Sequence, residues 1–211
     1  MLRYIFLVVA LMIFTGCAKT ISDYNALRNS PHQAVKNFST LISKKINNDE
    51  ELIVKLGNED TEIIKLDSQR VFASKLLLPK ATRPFSIDVF SSSEAGFFAP
   101  KILFLDKNNK IVKTVSAKDL NFDRGFFKGS IFVNKKYDGI KSLIVTQDLN
   151  ELNSSHKVSS VSTTPMYIPV GSYMMTYVTS SSDQNRTFMN AYGGNVKLLL
   201  KVYNPTILGS K

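Results

Sequence analysis

The chain has 211 residues, 44% of them hydrophobic and 21% charged, with a formal net charge of +10 and no tryptophan. This mixture excludes an intrinsically disordered chain, and the length suits one domain of ordinary size. The lone cysteine, Cys17, excludes an internal disulfide, and with only His32 and His156 beside it a Cys/His zinc site lacks ligands.

The basic balance would suit nucleic acid, acidic lipid or an acidic polysaccharide. The lysines are scattered, however. Lys44-Lys45 and Lys135-Lys136 are the densest pairs, and no block of five basic residues forms. Scattered lysines read as a solubilising surface.

The start of the chain is a targeting segment. Arg3 precedes an unbroken apolar run over residues 4–14. About 11 residues give roughly 16 Å of helix, whereas a membrane span needs about 20 residues. The run therefore fits the apolar core of a signal peptide. It ends in Phe14-Thr15-Gly16-Cys17, which resembles the lipobox of bacterial lipoproteins. There the leader is cut before the cysteine and acyl chains are attached to it. Residues 1–16 are thus expected to be a lipoprotein signal peptide and Cys17 the lipid attachment residue. Two or three acyl chains, at about 0.8 kcal/mol per buried CH₂, would hold a domain at a membrane. The other reading is a secreted protein cleaved near Ala18 with a free thiol. Ala18 after the cysteine, rather than Asp, resembles a lipoprotein sorted to the outer membrane of a Gram-negative envelope.

Residues 17–29 are polar and read as a tether. Ser30-Pro31 suits an N-cap and first helical position. Ala34, Val35, Phe38, Leu41, Ile42 and Ile46 recur at helical spacing, which predicts one amphipathic helix within residues 30–48. Its apolar face would pack on the domain or on a partner helix.

From Glu51 the texture becomes that of strands. Short β-branched runs flank Gly57-Asn58. Phe85, Ile87 and Val89 alternate with Ser86, Asp88 and Phe90, a period-2 signal. Residues 101–115 read as a hairpin around Asp106-Lys107-Asn108-Asn109. Further strands are predicted around residues 129–134, 141–148, 172–179 and 194–203. Residues 153–171, rich in Ser, Thr and Pro, read as a crossover loop, solvated or binding. Eight or more strands without interspersed helices predict a mainly β fold: an antiparallel β-sandwich of jelly-roll or Ig-like type over residues 51–205, preceded by one amphipathic α-helix.

Chemistry is sparse. No phosphate-loop, dinucleotide, nucleophile-elbow or zinc-protease motif occurs. Asp106-x-Asn108-x-Lys110 opens like a calcium loop but has Ile111 and Ala117 where glycine and glutamate are needed. His32 and His156 lie in polar segments and read as surface histidines. Glu50-Glu51 and Glu59-Asp60 could in principle serve glycoside hydrolysis, but adjacent turn carboxylates read as solvated. Phe97-Phe98, Phe126-Phe127, Tyr167, Tyr173 and Tyr177 could stack on sugar rings; aromatic residues at strand edges are otherwise core. No catalytic residue, metal or cofactor is expected. An envelope address argues against nucleic acid.

Several short motifs fall in a fixed order: Leu78-Pro79, Phe98-Ala99-Pro100, Leu105-Asp106, Asp123-Arg124, Thr146-Gln147-Asp148-Leu149 and Tyr167-Ile168-Pro169. In this the chain resembles the maltose operon periplasmic protein family (MalM) over about residues 67–202. The resemblance implies a periplasmic, non-enzymatic protein associated with carbohydrate transport of the maltose or maltodextrin type. The partners it implies are a sugar, a porin or a transport component. An alternative is a structural envelope lipoprotein whose positive charge meets anionic cell-wall or outer-membrane components.

Overall fold

The computed structural model describes residues 18–31, 34–170 and 173–203, with side chains described outside residues 159–185. Two sheets pack face to face, preceded by one short helix, α1 (Ile21–Asn29). The first sheet holds β1 (Ser43–Lys45), β3 (Glu62–Leu66), β4 (Gln69–Leu77), β6 (Pro100–Leu105), β7 (Ile111–Val115) and β10 (Ser142–Gln147). Its order is β1-β4-β10-β6-β7, with β3 sharing the edge of β4 that β1 occupies. The second sheet holds β2 (Glu51–Leu56), β5 (Phe85–Ser92), β8 (Asn121–Asp123), β9 (Phe126–Val133) and β13 (Gly194–Val202), in the order β2-β13-β5-β9-β8. Every pairing in it is antiparallel. The chain is thus a mainly β, two-sheet sandwich, as its strand texture predicts.

The main core lies between the sheets. Phe72, Leu76, Ile102, Phe104, Leu143 and Val145 of the first meet Phe85, Ile87, Val89, Ile131, Val196 and Leu198 of the second. Burial of such side chains stabilises by about 1.5–3 kcal/mol each relative to exposure. The first sheet is buried on its outer face as well. Val71, Ala73, Leu103, Leu105 and Ile144 pack there with Leu41, and Val35 and Phe38 lie against them. Burial on both faces explains why β6 and β10 read as continuous apolar runs rather than alternating ones.

That outer layer corrects the predicted helix. Residues 34–46 run extended along the edge of the first sheet, with only a 3-10 turn at Phe38–Thr40. Val35 bridges Ile64, and Ser43–Lys45 pair in parallel with Lys75–Leu77. The free edge of β4 offers backbone partners that a helix would leave unpaired, and this tertiary ladder overrides the helical spacing. Ile42, on the predicted apolar face, is instead 72% exposed. Lys75 pins the segment from below: its Nζ donates to Phe38 O at 3.0 Å and to Asn109 Oδ1 at 2.7 Å. Burial pushes its ammonium below the usual lysine range.

The helix forms earlier, in the predicted tether. Thr20 caps it: its Oγ1 accepts from Asp23 N at 3.2 Å, and Asp23 Oδ2 accepts from Thr20 N at 2.8 Å. Tyr24, its buried residue, sits where a side chain at Gly57 would project, and Gly57 has φ +89°. Arg70 ties the helix end to β4 through Arg28 O and Ser30 O.

The predicted hairpin is present as β6 and β7. Asp106 Oδ1 accepts from Asn108 N and Lys110 N, at 2.8 and 2.9 Å. By contrast β2 and β3, on either side of Gly57-Asn58, enter different sheets. Two of the ordered sequence motifs serve the fold. Asp148 Oδ2 accepts from Ala117 N at 2.9 Å, Thr146 Oγ1 donates to Phe72 O at 2.8 Å, and Phe98 and Ala99 are fully buried.

A second correction concerns residues 153–171. Of these, residues 155–170 are strand: β11 (Ser155–Val170) pairs antiparallel with β12 (Tyr173–Met189) in a separate two-stranded ribbon. Its root is clamped to the sandwich. Phe97 N donates to Met189 O at 3.1 Å, Ala191 N to Phe97 O at 2.7 Å and Gln147 Nε2 to Ala191 O at 3.1 Å. His156 lies within an aromatic cluster there, with ring centroids 4.9 Å from Phe97 and 4.3 Å from Phe122.

Gly96 has φ +156°, and a methyl group there would run into the Met189 carbonyl oxygen. Gly96→Ala is therefore expected to destabilise the protein by about 1–3 kcal/mol. Gly139→Ala, with nothing within 4 Å of the added carbon, should change stability little. Urea unfolding of the two variants checks the contrast.

Candidate functional site

Cys17 and His32 lie outside the described residues. Several of the other sequence-predicted candidates turn out to be structural. Phe97, Phe98 and Phe127 are buried core. His156 is a half-buried member of the ribbon root rather than a surface residue, 3.3 Å from Glu151 Oε2. Glu51 pairs with Lys197 at 2.9 Å, and Glu50 accepts from Asn47. Glu59 and Asp60 border a hollow of about 390 Å³ beneath α1, together with Leu27 and Phe72. Among the described residues no group of three or more metal-ligating side chains occurs, and no helix is long and apolar enough to cross a membrane. Tyr167, Tyr173 and Tyr177 fall on the ribbon, where side chains are not described.

The surface with organised chemistry is the outer face of the second sheet. Strand alternation sends Phe85, Ile87 and Val89 inward, so Ser86, Asp88 and Phe90 face outward. Register then fixes their neighbours. Phe90 lies between Lys197 and Lys128, Asp88 between Leu199 and Ser130, and Ser86 between Lys201 and Phe132. Three rows of outward side chains result.

Aromatic pairs occupy the two ends of this face. Phe90 and Phe126 stack with centroids 5.1 Å apart and planes 26° apart, and Lys197 Nζ lies 5.8 Å above the Phe90 ring. Phe132 and Tyr203 stack at 6.2 Å and 16°. Tyr203 is held there by its hydroxyl, which bonds to Ser86 Oγ at 3.0 Å. Phe126, Phe132 and Tyr203 are 39%, 53% and 40% exposed. Four residues of strand separate Phe90 from Ser86, or about 13 Å. Each pair borders a hollow. One, of about 320 Å³, is framed by Phe90, Phe126, Asp123, Arg124 and Lys128. The other, of about 650 Å³, lies between Phe132, Val112, Lys113, Lys135 and Lys136.

Polar groups hold the middle. Asp88 Oδ2 lies 2.7 Å from Lys201 Nζ, and Ser130 Oγ donates to Asp88 Oδ1 at 2.5 Å. The bonds from Lys201 and Ser130 hold the Asp88 carboxyl below its usual range, and Asp88 in turn raises Lys201. At neutral pH the middle of the face, beside Leu199, offers an acceptor carboxylate, a hydroxyl and an ammonium. This polar set lies between the two aromatic pairs.

Sequence reasoning singled out Phe126 but not Phe90, Phe132 or Tyr203. The period-2 alternation of β5 placed Phe90 outward with Asp88. The pairing of β9 with β5, which brings Phe132 and Phe126 alongside, is non-local and left no local signal.

No family model and no curated protein matches the chain. Among solved structures it is similar to the pre-peptidase C-terminal domain of collagenase from Bacillus anthracis. The two share 10% identity and a TM-score of 0.37, over 78% of this chain and 100% of that domain. No site residue transfers across such a distance.

The Asp88 shift sets a pH dependence. Its folded value lies below the unfolded value of about 3.9. Its stabilising contribution is therefore present above the unfolded value and lost as pH falls through the lower folded one. The stability difference between the native protein and Asp88→Asn is expected to be constant from about pH 5 to neutrality and to shrink below about pH 4. Thermal melts of both proteins across that range check it.

Proposed function

We propose that this protein is a non-catalytic, carbohydrate-binding accessory module of the periplasm, tied to a membrane by lipid on Cys17. The outer face of the second sheet would be its binding surface. The observation that carries the reading is the two aromatic stacks, with Phe126, Phe132 and Tyr203 exposed and the nearest rings, Phe90 and Phe132, about 13 Å apart along the strands, and with Asp88, Ser130 and Lys201 between them. Stacked rings present flat faces to the apolar C–H face of a pyranose, and the central groups suit its hydroxyls. A spacing of that order suits a glucan of several units rather than a single sugar.

The motif resemblance to the MalM family supports a maltodextrin-type ligand and a link to sugar uptake. The lipobox-like Phe14-Thr15-Gly16-Cys17 and the following Ala18 support anchoring at the outer membrane. One observation favours a second reading, an envelope protein that meets anionic cell-wall or outer-membrane polymers. The larger hollow is lined by three lysines, Lys113, Lys135 and Lys136, against one carboxylate, Asp106. On that reading binding would weaken steeply with salt.

Titration calorimetry with maltohexaose is expected to give heat that Phe90→Ala with Phe132→Ala reduces by about tenfold in affinity, the loss of two aromatic contacts. No heat at millimolar sugar would exclude direct sugar binding. Replacement of Cys17 by Ser is expected to release the protein from the membrane fraction. Retention there without detergent would overturn the anchor.

A further inference from the structure

β11 and β12 have 16 and 17 residues, and among the described residues neither pairs with any other strand. At about 3.3 Å per residue they form a ribbon roughly 50 Å long. A lone two-stranded ribbon is marginal in water, so one of this length calls for something to cover it.

The composition along the ribbon is graded. Lys157, Asp183 and Arg186 stand near the root. Residues 159–182 then carry no charge, in a chain that is 21% charged. The register divides this stretch in two. Toward the root, serines and threonines face one another across the pair: Ser162 with Ser181, Thr163 with Ser180, Thr164 with Thr179. Toward the tip the pairs are Pro165 with Val178, Met166 with Tyr177, Tyr167 with Thr176, Ile168 with Met175, Pro169 with Met174 and Val170 with Tyr173. Partners in register share a face. Both faces of the tip are therefore apolar in sequence, Thr176 excepted, and neither can be the wet side of an ordinary hairpin.

We propose that the ribbon tip docks into the headgroup–hydrocarbon interface of a phospholipid bilayer. Three features select lipid over a second copy of the chain. The first is the absence of charge from both faces. The second is the tyrosine content, since tyrosines favour the interfacial level. The third is the placement of Pro165 and Pro169. A proline keeps a place in a ladder only where its nitrogen faces the free edge. Two prolines four residues apart remove two donors from the same edge of β11. That edge is poor for adding a strand from another copy and has fewer N–H groups to strip of water. The opposite edge, on β12, keeps its backbone groups, which limits the tip to shallow insertion rather than a span. The serine and threonine band would then lie at the water side, and the charged root outside.

The absence of tryptophan gives a clean test. Tyr173→Trp places a single tryptophan at the tip of the full-length Cys17→Ser chain, which cannot be lipidated. With neutral phosphatidylcholine vesicles, its emission is expected to shift to shorter wavelength and to be quenched by lipids brominated on their acyl chains. Adding Ile168→Asp and Met175→Asp, an adjacent cross-strand pair, is expected to lower the partitioning of this signal about tenfold or more, the cost of charge at an apolar depth. Circular dichroism confirms that the sandwich is retained. Because the probe reads the tip itself, binding by the N-terminal apolar run does not mimic the result. The proposal is overturned if the emission stays at its aqueous position, or if the shift survives the double aspartate variant. It is equally overturned if a blue-shifted emission is present without vesicles and sedimentation shows self-association that the aspartates abolish.

Discussion

The covering of β4 on every side is the constraint on which the rest depends. Its strand is buried over Val71 to Leu76, with core on both faces. One edge is taken by β10. The other needs backbone partners along its whole length, and no single strand supplies them. β3 covers Gln69–Ala73 and β1 covers Lys75–Leu77. Residues 34–46 are thereby drawn into an extended path that also covers the outer face. Lys75, buried among apolar neighbours, is kept there by two hydrogen bonds that tie this segment to the β6–β7 turn.

This constraint explains where sequence and structure part. The apolar spacing of residues 34–46 fits a helix, yet the apolar residues serve different layers. Leu41 goes to the outer cluster and Ile46 to the main core, while Ile42 faces solvent. No single helical face could do this. Conversely, the Thr20-x-x-Asp23 capping pattern that starts α1 was present in the sequence, inside a stretch whose polarity reads as a tether. The β6–β7 hairpin and the alternation in β5 were legible because turn chemistry and face pattern are local. The ribbon was not, because serine, threonine and proline in β11 carry turn propensity, and only pairing with β12 makes it a strand.

The candidate site divides in the same way. Alternation tells which residues of one strand look outward. It does not tell which strand lies beside it. The row formed by Lys197, Phe90 and Lys128 joins residues far apart in sequence, and so do the stacks of Phe90 on Phe126 and Phe132 on Tyr203. The strands of the sandwich position Phe90, Phe126 and Phe132, and Tyr203 follows directly on the end of β13. The outer face of the second sheet therefore stands as a preformed surface, while the opposite sheet spends its outer face on the fold.

The proposal that this face stacks carbohydrate turns on its aromatic rings. An NMR titration with maltohexaose, observing the ring resonances of selectively labelled phenylalanine and tyrosine, tests it most directly. Saturable shifts are expected at Phe90, Phe126, Phe132 and Tyr203, with the buried rings of Phe72, Phe85 and Phe104 unmoved. Shifts centred on the hollow beneath α1, or no shift at millimolar sugar, would contradict it.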